Sequence, residues 1–398
     1  MNAARVRRIL TLNLGSATVK AALFAVEKRP RQELAIEVSQ TGASGGRIRI
    51  ADSRGKSLFA EPLKRYDSAL ALDRVADWLS AHGYFSGLVA VGHRLVHGGP
   101  HFRKPRRITA GLLARLERVL PLDPDHLPEA IRGIRLFAWR FPKLPQVACF
   151  DTAFHSTLPP VARMYALPRQ LFRQGIRRYG FHGLSYEYVL GKLRTLEGKL
   201  ARGRVIIAHL GSGASLAALR NGKSVDTSMG LTPLEGLVMS KRSGDVDPGA
   251  LLYLLRQGKI SAKQLDNLLN HESGLLGVSG TTGDMQKLLE RAPRDARAAE
   301  AVELFCYRVK KYIGAYAAVL GGLDILVFTG GIGEHAAAIR RRICEGLEFL
   351  GLELDPARNR AHAAVISKKR SRIRVRVIQT NEDLMIVNHV LAILGKRN

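Results

Sequence analysis

Two decapeptides set the frame for the whole chain. LGSATVKAAL (Leu14–Leu23) and LGSGASLAAL (Leu210–Leu219) agree at six of ten positions. Their offset, 210 − 14 = 196, is close to half of the 398 residues. Each copy follows an alternating apolar run, RILTLNLG or RVIIAHLG, and leads into another, so each reads as a β-hairpin with a Gly-Ser tip. The NGK at Asn221–Lys223 then supplies the next tight turn. Such tips present backbone N–H groups and hydroxyls, which make anion sites without requiring charge. Two copies half a chain apart predict a duplicated domain, with the two tips meeting one phosphate chain from opposite sides of a cleft.

Other phosphate loops are excluded. No GxxxxGK[ST] occurs, so this is not a P-loop protein. GSGASL and GGIGEH both lack the third glycine of GxGxxG, and the Gly-Ser copies turn into strands rather than helices, against a dinucleotide-binding fold. The Gly330–Gly333 stretch after ILVF reads as a third glycine turn, placed to hold a nucleoside.

The length calls for two domains of ordinary size. Apolar residues at 46% and charged residues at 24% are globular values. No apolar run is long enough to span a bilayer, and Asn13 and Lys20 interrupt the only stretch resembling a signal peptide, so a cytoplasmic protein is expected. Cys149, Cys306 and Cys344 are scattered without a CxxC pair and read as small buried hydrophobes. A net charge of +28 favours encounter with anionic ligands. Zinc-finger and RNA-recognition signatures are absent, so nucleic acid is not expected as a partner.

Helices are legible by capping and periodicity. DPGALLYLLRQG has Asp247 as N-cap and Pro248 in the first turn. AVELFCYRVKKYIGAYAAVL sets Val302, Phe305, Cys306, Val309, Ile313, Tyr316, Ala317 and Leu320 on one face. GGLDILVFTGGIGEH reads as a buried strand and glycine turn, with a new helix at AAAIRRRICEGLEFL. DLMIVNHVLAILG closes the chain as a short helix. Mixed strands and helices give an α/β fold with a boundary in the 150s.

Paired phosphate hairpins belong to the actin, heat-shock chaperone and sugar kinase superfamily. NLGSATVK, GHRLVHGG, FDTAFHSTLP, RRYGFHGLS, HLGSGAS, DTSMGLTPLEGLVM, DPGALLYLL, SGLLGVSG, FTGGIGEH and TNEDLMI, in that order, resemble the acetate kinase family over nearly the whole chain. The resemblance implies a duplicated two-domain actin-like ATPase fold with a central interdomain cleft. It implies an N-terminal acetokinase domain over 1–152, with the helix at 384–398 packing back on it. Residues 153–383 would form a C-terminal domain for nucleotide binding and dimerisation. The implied reaction is a reversible transfer of the ATP γ-phosphoryl to acetate, with propionate or another short acid as the alternative.

Site residues follow from the same resemblance. Asn13 and Glu382 would organise Mg2+, with Mn2+ as a substitute, and Lys20 would face phosphate. Arg94 and Arg242 supply guanidinium forks, which suit both a carboxylate and a planar phosphoryl. His182 would stabilise the transferring phosphoryl. Asp151 is implied as a general acid or base; a carboxylate nucleophile is already ionised near neutral pH, so orienting water on the metal or holding an arginine suits it better. Arg94, Val96, Phe181 and Pro233 are implied to bind the acid. ATP or ADP contacts fall on His209, Leu210, Gly211, Ser212 and Gly213, on Asp284, Met285 and Gln286, and on Gly331, Ile332, Gly333, Glu334 and His335. The family implies a homodimer acting on small molecules only, without membrane association. His93 and His97, at i and i+4, lie in a strand and so do not read as metal ligands.

Three departures stand out. Ser212 replaces a common asparagine. Tyr186 replaces a histidine. In LPLDPDHLP, counting back from Asp151 puts Asp125 where a leucine lines the acetate-methyl pocket, unless a shifted register brings Leu122 or Leu127 there.

Overall fold

The computed structural model describes residues 6–15, 18–41 and 45–395. The chain forms two compact units, one of residues up to Phe154 together with those from Asn381 onward, the other of His155–Thr380.

In the first unit the strands are Arg8–Leu14 (β1), Thr18–Val26 (β2), Pro30–Thr41 (β3), Gly45–Asp52 (β4), Ser57–Leu63 (β5), Leu88–Leu95 (β6), Arg106–Arg107 (β7) and Gln146–Phe150 (β8). They form one sheet in the order β5-β4-β3-β2-β1-β6-β8-β7. β1 to β5 make an antiparallel meander, while β6 and β8 run parallel to β1. The helices Ser68–Ala81 and Leu127–Arg140 bury Leu72, Val75, Leu79 and Phe137 in a core shared with Leu10, Leu12, Val38 and Ile50 of the sheet. The helix Glu382–Gly395 also packs on this sheet. A Cβ on Gly92 of β6 would stand 2.3 Å from Ile386 Cγ2 and 2.9 Å from Val390 Cγ2, so glycine lets that helix lie directly on the strand.

In the second unit Arg204–Leu210 (β9), Ala214–Arg220 (β10), Lys223–Thr227 (β11), Ile325–Thr329 (β12) and Arg374–Val377 (β13) form a sheet in the order β11-β10-β9-β12-β13. The helix Ala296–Leu320, capped by Asp295, buries the apolar face read from its periodicity. Asp247 caps the helix Pro248–Arg256 as expected. Asn221 and Gly222 both have positive φ, as the tight β10–β11 turn requires.

Both sheets contain the same five-strand unit. β3-β2-β1-β6-β8 and β11-β10-β9-β12-β13 share strand order, and each has two antiparallel pairings followed by two parallel ones. The repeated decapeptides occupy the β1–β2 and β9–β10 hairpins, so the sequence repeat marks a duplicated fold. Ser16 and Ala17, in the tip of the first hairpin, lie outside the described residues.

The two hairpins differ by one residue. Four residues, Gly15–Thr18, separate the paired Leu14 and Val19, whereas three, Gly211–Gly213, separate Leu210 and Ala214. Asn13 therefore faces Lys20 across the first hairpin, and His209 faces Ser215 across the second. Aligned by letters, Leu216 would be the counterpart of Lys20. By pairing it is Ser215, because one residue of slip turns a strand's faces over.

A second difference concerns GGIGEH. It does not form a turn before a helix; Gly330–His335 is itself helical, directly after β12. Gly330 has φ of +77°, and a Cβ there would meet the Leu210 carbonyl oxygen at 2.7 Å. The glycines thus let a helix start against the β9 backbone. The following helix is confined to Ala337–Cys344.

Candidate active site

In the first unit three of the expected residues, Asn13, Asp151 and Glu382, converge on a fourth, Arg94, near the end of β6. Arg94 donates from Nη2 and Nε to Asp151 Oδ2, at 2.6 and 3.1 Å, and from Nη1 to Asn13 Oδ1 at 3.2 Å. Its Nε lies 3.7 Å from Glu382 Oε2. β1 delivers Asn13 and β6 delivers Arg94, while Asp151 starts the 3-10 helix Asp151–Thr157 after β8 and Glu382 starts the C-terminal helix. Burial alone would push the Arg94 guanidinium down, but Asp151 and Glu382 more than offset this and hold it above its usual value. Burial raises the Glu382 carboxyl, against the pull of Arg94 and Lys20. Behind it, Asp383 Oδ1 accepts from Thr11 Oγ1 at 2.7 Å.

This cluster suits a hard cation. Asp151 Oδ1 is buried and makes no hydrogen bond, and the Glu382 carboxyl is held above its usual range by burial. Both properties favour a cation, and Asn13, Asp151 and Glu382 offer oxygen donors only. Among the described residues no three His, Cys, Asp or Glu side chains form a ready-made metal cage. Mg2+ keeps several waters and binds through one or two carboxylates plus phosphate, so it needs no such cage.

Arg94 also feels Asp123, which is 2% exposed. Asp123 Oδ1 is paired with His126 Nδ1 at 2.9 Å, and its Oδ2 is buried with no hydrogen bond. The carboxylate buried in this segment is thus Asp123, while Asp125 is half-buried. Leu127 is fully buried in the core with Leu116 and Phe150, and Leu122 packs at the edge of the same cluster. Val96 is buried just after β6. His93 and His97 serve the interior: His93 Nε2 lies 2.6 Å from Gln146 Oε1, and His97 Nδ1 accepts from Gly99 N at 2.8 Å.

In the second unit the centre is a pair of stacked imidazoles, His182 and His209, with ring centroids 4.3 Å apart and planes inclined by 25°. His182 has φ of 57°, a left-handed conformation that a non-glycine residue adopts at a cost. It stands at the start of the helix Gly183–Glu197. A Cβ on Gly213 would lie 3.1 Å from His182 Nε2 and 4.0 Å from Arg242 Nη1, so the bare glycine keeps open a space that both side chains border. Phe181 is buried, and its carbonyl lies 3.0 Å from His155 Nε2. Pro233 is half-buried.

The segments expected to hold nucleotide are joined to one another. Ser240 N donates to the Ser212 carbonyl at 3.0 Å, and Ser240 Oγ to the Gly283 carbonyl at 2.8 Å. Asp284 caps the helix that Met285 begins, accepting from the N–H of Gln286 and Lys287. Leu210 is buried, whereas Ser212 and Gly331 are exposed. Glu334 is turned inward: its Oε1 accepts from Gly330 N at 2.8 Å and Thr380 N at 3.1 Å. Ile332 and Gly333 flank that bend, and His335 is exposed beyond it. Arg340, fully buried, donates at 2.8 Å to the carbonyls of Gly333 and Glu334 and holds the end of this helix. Burial lowers its guanidinium to about 10.

The sequence model of the Acetokinase family matches residues 8–388. The chain belongs to the acetokinase family. The acetate kinase of Rhodopseudomonas palustris is 46% identical over 390 residues, covering 96% of this chain and 97% of that one. The crystal structure of Porphyromonas gingivalis acetate kinase superimposes with a TM-score of 0.89 at 38% identity, covering 98% of this chain and all of the other. A propionate kinase structure from Francisella tularensis gives 0.91 at 38% identity, covering 96% and 98%. The mixed α/β, two-sheet architecture is thus the acetokinase form of the actin-like fold.

Sequence reasoning passed over several acetokinase residues that the structure ties to the site. Thr11 and Asp383 back Glu382. Ser185 and Ser215 each meet the Nδ1 of a stacked histidine at 2.8 Å. Serine and threonine inside strands and helices usually read as filler, so only the three-dimensional pairing singles them out. Tyr186 had one signal, its replacement of a histidine.

Proposed function

We propose that this chain transfers the γ-phosphoryl group of ATP reversibly to acetate, giving acetyl phosphate and ADP. The observation that carries this reading is the Arg94 guanidinium, held by Asp151 and Asn13 next to Glu382. A fork fixed in this way is prepared for a carboxylate before it arrives. The acid needs no base, since it is ionised at neutral pH. Asp151 already accepts two hydrogen bonds from Arg94, which supports an orienting role. One carboxylate oxygen bonds to the γ-phosphorus, the bond from that phosphorus to the β–γ bridging oxygen breaks, and ADP leaves without proton transfer. His182 and Arg242 carry the charge on the transferring phosphoryl. The Gly211–Gly213 tip, closed by the hydrogen bond from Gly211 N to the Gly213 carbonyl, and the segments around Asp284 and Gly331 hold the nucleotide. Asn13 and Glu382 would hold Mg2+, or Mn2+ in its place, which neutralises phosphate charge when bound.

Val96, Phe181 and Pro233 are proposed to line the acyl end of the acid. The buried Asp123 near Arg94 keeps propionate or another short acid as the second reading, because the segment departs from the family there. ATP, Mg2+ and each acid, incubated with hydroxylamine, test the assignment. Acyl hydroxamate with the highest kcat/KM for acetate is expected; ATP loss without hydroxamate overturns it.

A homodimer through the second unit is proposed as well. The helix Pro248–Arg256 buries none of its residues, and leaves Leu252 49% and Tyr253 61% exposed. Sedimentation at micromolar concentration checks this, and a monomer there refutes it. A cytoplasmic enzyme of small-molecule substrates is proposed; among the described residues no helix is long and apolar enough to cross a membrane.

A further inference from the structure

We infer that Tyr186 and Ser215 are positioning residues that lock His182 as the Nε2–H tautomer. This rests on His182 meeting the transferring phosphoryl, as proposed above. Tyr186 and Ser215 are both fully buried. The Tyr186 hydroxyl lies 2.5 Å from Ser215 Oγ, and Ser215 Oγ lies 2.8 Å from His182 Nδ1. The three groups form one chain, and its proton directions are coupled.

Two directions are open to such a chain. In the first, the phenol donates to Ser215 Oγ, and the serine donates to Nδ1. In the second, Nδ1–H donates to the serine, and the serine to the phenol oxygen. A phenol, with pKa about 10, is a far stronger acid than an alkanol and therefore the better donor. That selects the first direction. Nδ1 then accepts, and the ring proton of the neutral imidazole sits on Nε2.

The direction matters because Nε2 is the atom that borders the space beside Gly213. Phosphoryl oxygens only accept hydrogen bonds. A lone pair on Nε2 would repel them, whereas N–H donates to them. The chain fixes the donor without requiring a charged ring. This suits a histidine stacked on a second one, because two imidazolium rings in face contact would repel each other. His209 carries a parallel arrangement: its Nδ1 lies 2.8 Å from Ser185 Oγ, which lies 2.8 Å from Thr380 Oγ1. Each stacked ring thus has a hydroxyl at Nδ1.

Long-range 1H–15N correlation of the full chain labelled on histidine reads the tautomer directly, with His182→Gln assigning the signal. The expected spectrum has His182 neutral, with Nε2 protonated and Nδ1 an acceptor. Ser215→Ala is expected to mix the tautomers and lower kcat about tenfold, the scale of one hydrogen bond, with both KM values nearly unchanged. Tyr186→Phe, which keeps the ring and its packing, moves both readouts in the same direction, and it carries the test should Ser215→Ala fail to fold. A protonated Nδ1 in the native chain overturns the inference, as do variants that keep both the wild-type spectrum and kcat. The spectrum does not depend on turnover. Failure of the native chain to make acyl phosphate would therefore count against the proposed reaction and leave the tautomer assignment standing or falling on its own.

Discussion

Asp151 Oδ2 receives two hydrogen bonds from one guanidinium, Arg94, which tie a buried carboxylate to the proposed substrate fork. Asp151 is fully buried, while the Arg94 side chain keeps 17% of its surface exposed. The carboxylate is thus the anchor and the guanidinium the working end. Replacing Arg94 by lysine keeps one charge but loses the two-pronged geometry. Arg94→Lys is expected to lower kcat by about a hundredfold or more, roughly 3 kcal/mol of transition-state stabilisation, with the KM for ATP unchanged. Steady-state hydroxamate formation against varied acid and varied ATP checks this. Near-normal turnover, or a defect confined to the KM for ATP, removes Arg94 from the acid site.

A second prediction concerns acid stability. Burial lowers His93 from 6.5 to about 4, although its bond to Gln146 pulls the other way. The unfolded chain therefore takes up a proton below pH 6.5 that the folded chain refuses until about 4. Stability from this group is fully present above the unfolded value and is lost as the pH falls through that window. Its size is about 3 kcal/mol. Both tryptophans, Trp78 and Trp139, lie in the first unit, so their fluorescence follows that unit alone. Urea unfolding at pH 7 and pH 4.5 should show a smaller loss for His93→Gln than for the native chain. Equal losses would rule out His93 as the source.

Gly213 makes the third case. Adding a methyl group there places carbon 3.1 Å from His182 Nε2, in the space proposed for the phosphoryl. Gly213→Ala should lower kcat by about a hundredfold, the order expected of a misplacement of about 1 Å, while the melting temperature stays close to native. Unchanged turnover would mean that the space beside His182 is not used.

Gly92→Ala tests the seat of the C-terminal helix. Its Cβ would overlap Ile386 and Val390, and such overpacking typically costs about 1–3 kcal/mol. Because Glu382 and Asp383 open that helix, the strain is expected to reach the Arg94 cluster. Faster amide exchange across residues 382–395, together with a lower affinity for Mg2+, is the expected result. Native exchange rates there would show that the strand yields instead.

Much of the fold could be read from the chain because its two halves say the same thing twice. A hairpin announces itself by alternation and a turn, and Asp247, Pro248 and the apolar face of Ala296–Leu320 follow local rules of capping and period. GGIGEH reads as a turn because glycine ordinarily ends helices, whereas Gly330 opens one against the Leu210 carbonyl, a constraint set by a strand far away in sequence. At the site, Asn13, Arg94, Asp151 and Glu382 carry distinctive chemistry within recognisable strings. Ser185, Ser215 and Thr11 do not, and their roles arise only from what stands opposite them. Asp123 shows a third limit. Counting along the chain drew attention to Asp125, but a short 3-10 turn at Leu120–Leu122 decides which of the two acids is buried.

The unequal hairpin tips bear on how the halves of such a protein can be exchanged or redesigned. With a tip of four residues in one half and three in the other, the letter-by-letter alignment of the repeats holds up to the tip and fails after it. By pairing, Ser215 is the position that corresponds to Lys20, yet Ser215 and Leu216 are both fully buried whereas Lys20 is exposed, so a lysine grafted into the second half would bury its ammonium at either position. A single insertion or deletion in a turn is therefore enough to make once-identical halves diverge in chemistry while their sheets stay superimposable, with a cation displayed opposite Asn13 in one and a hydroxyl opposite His209 in the other.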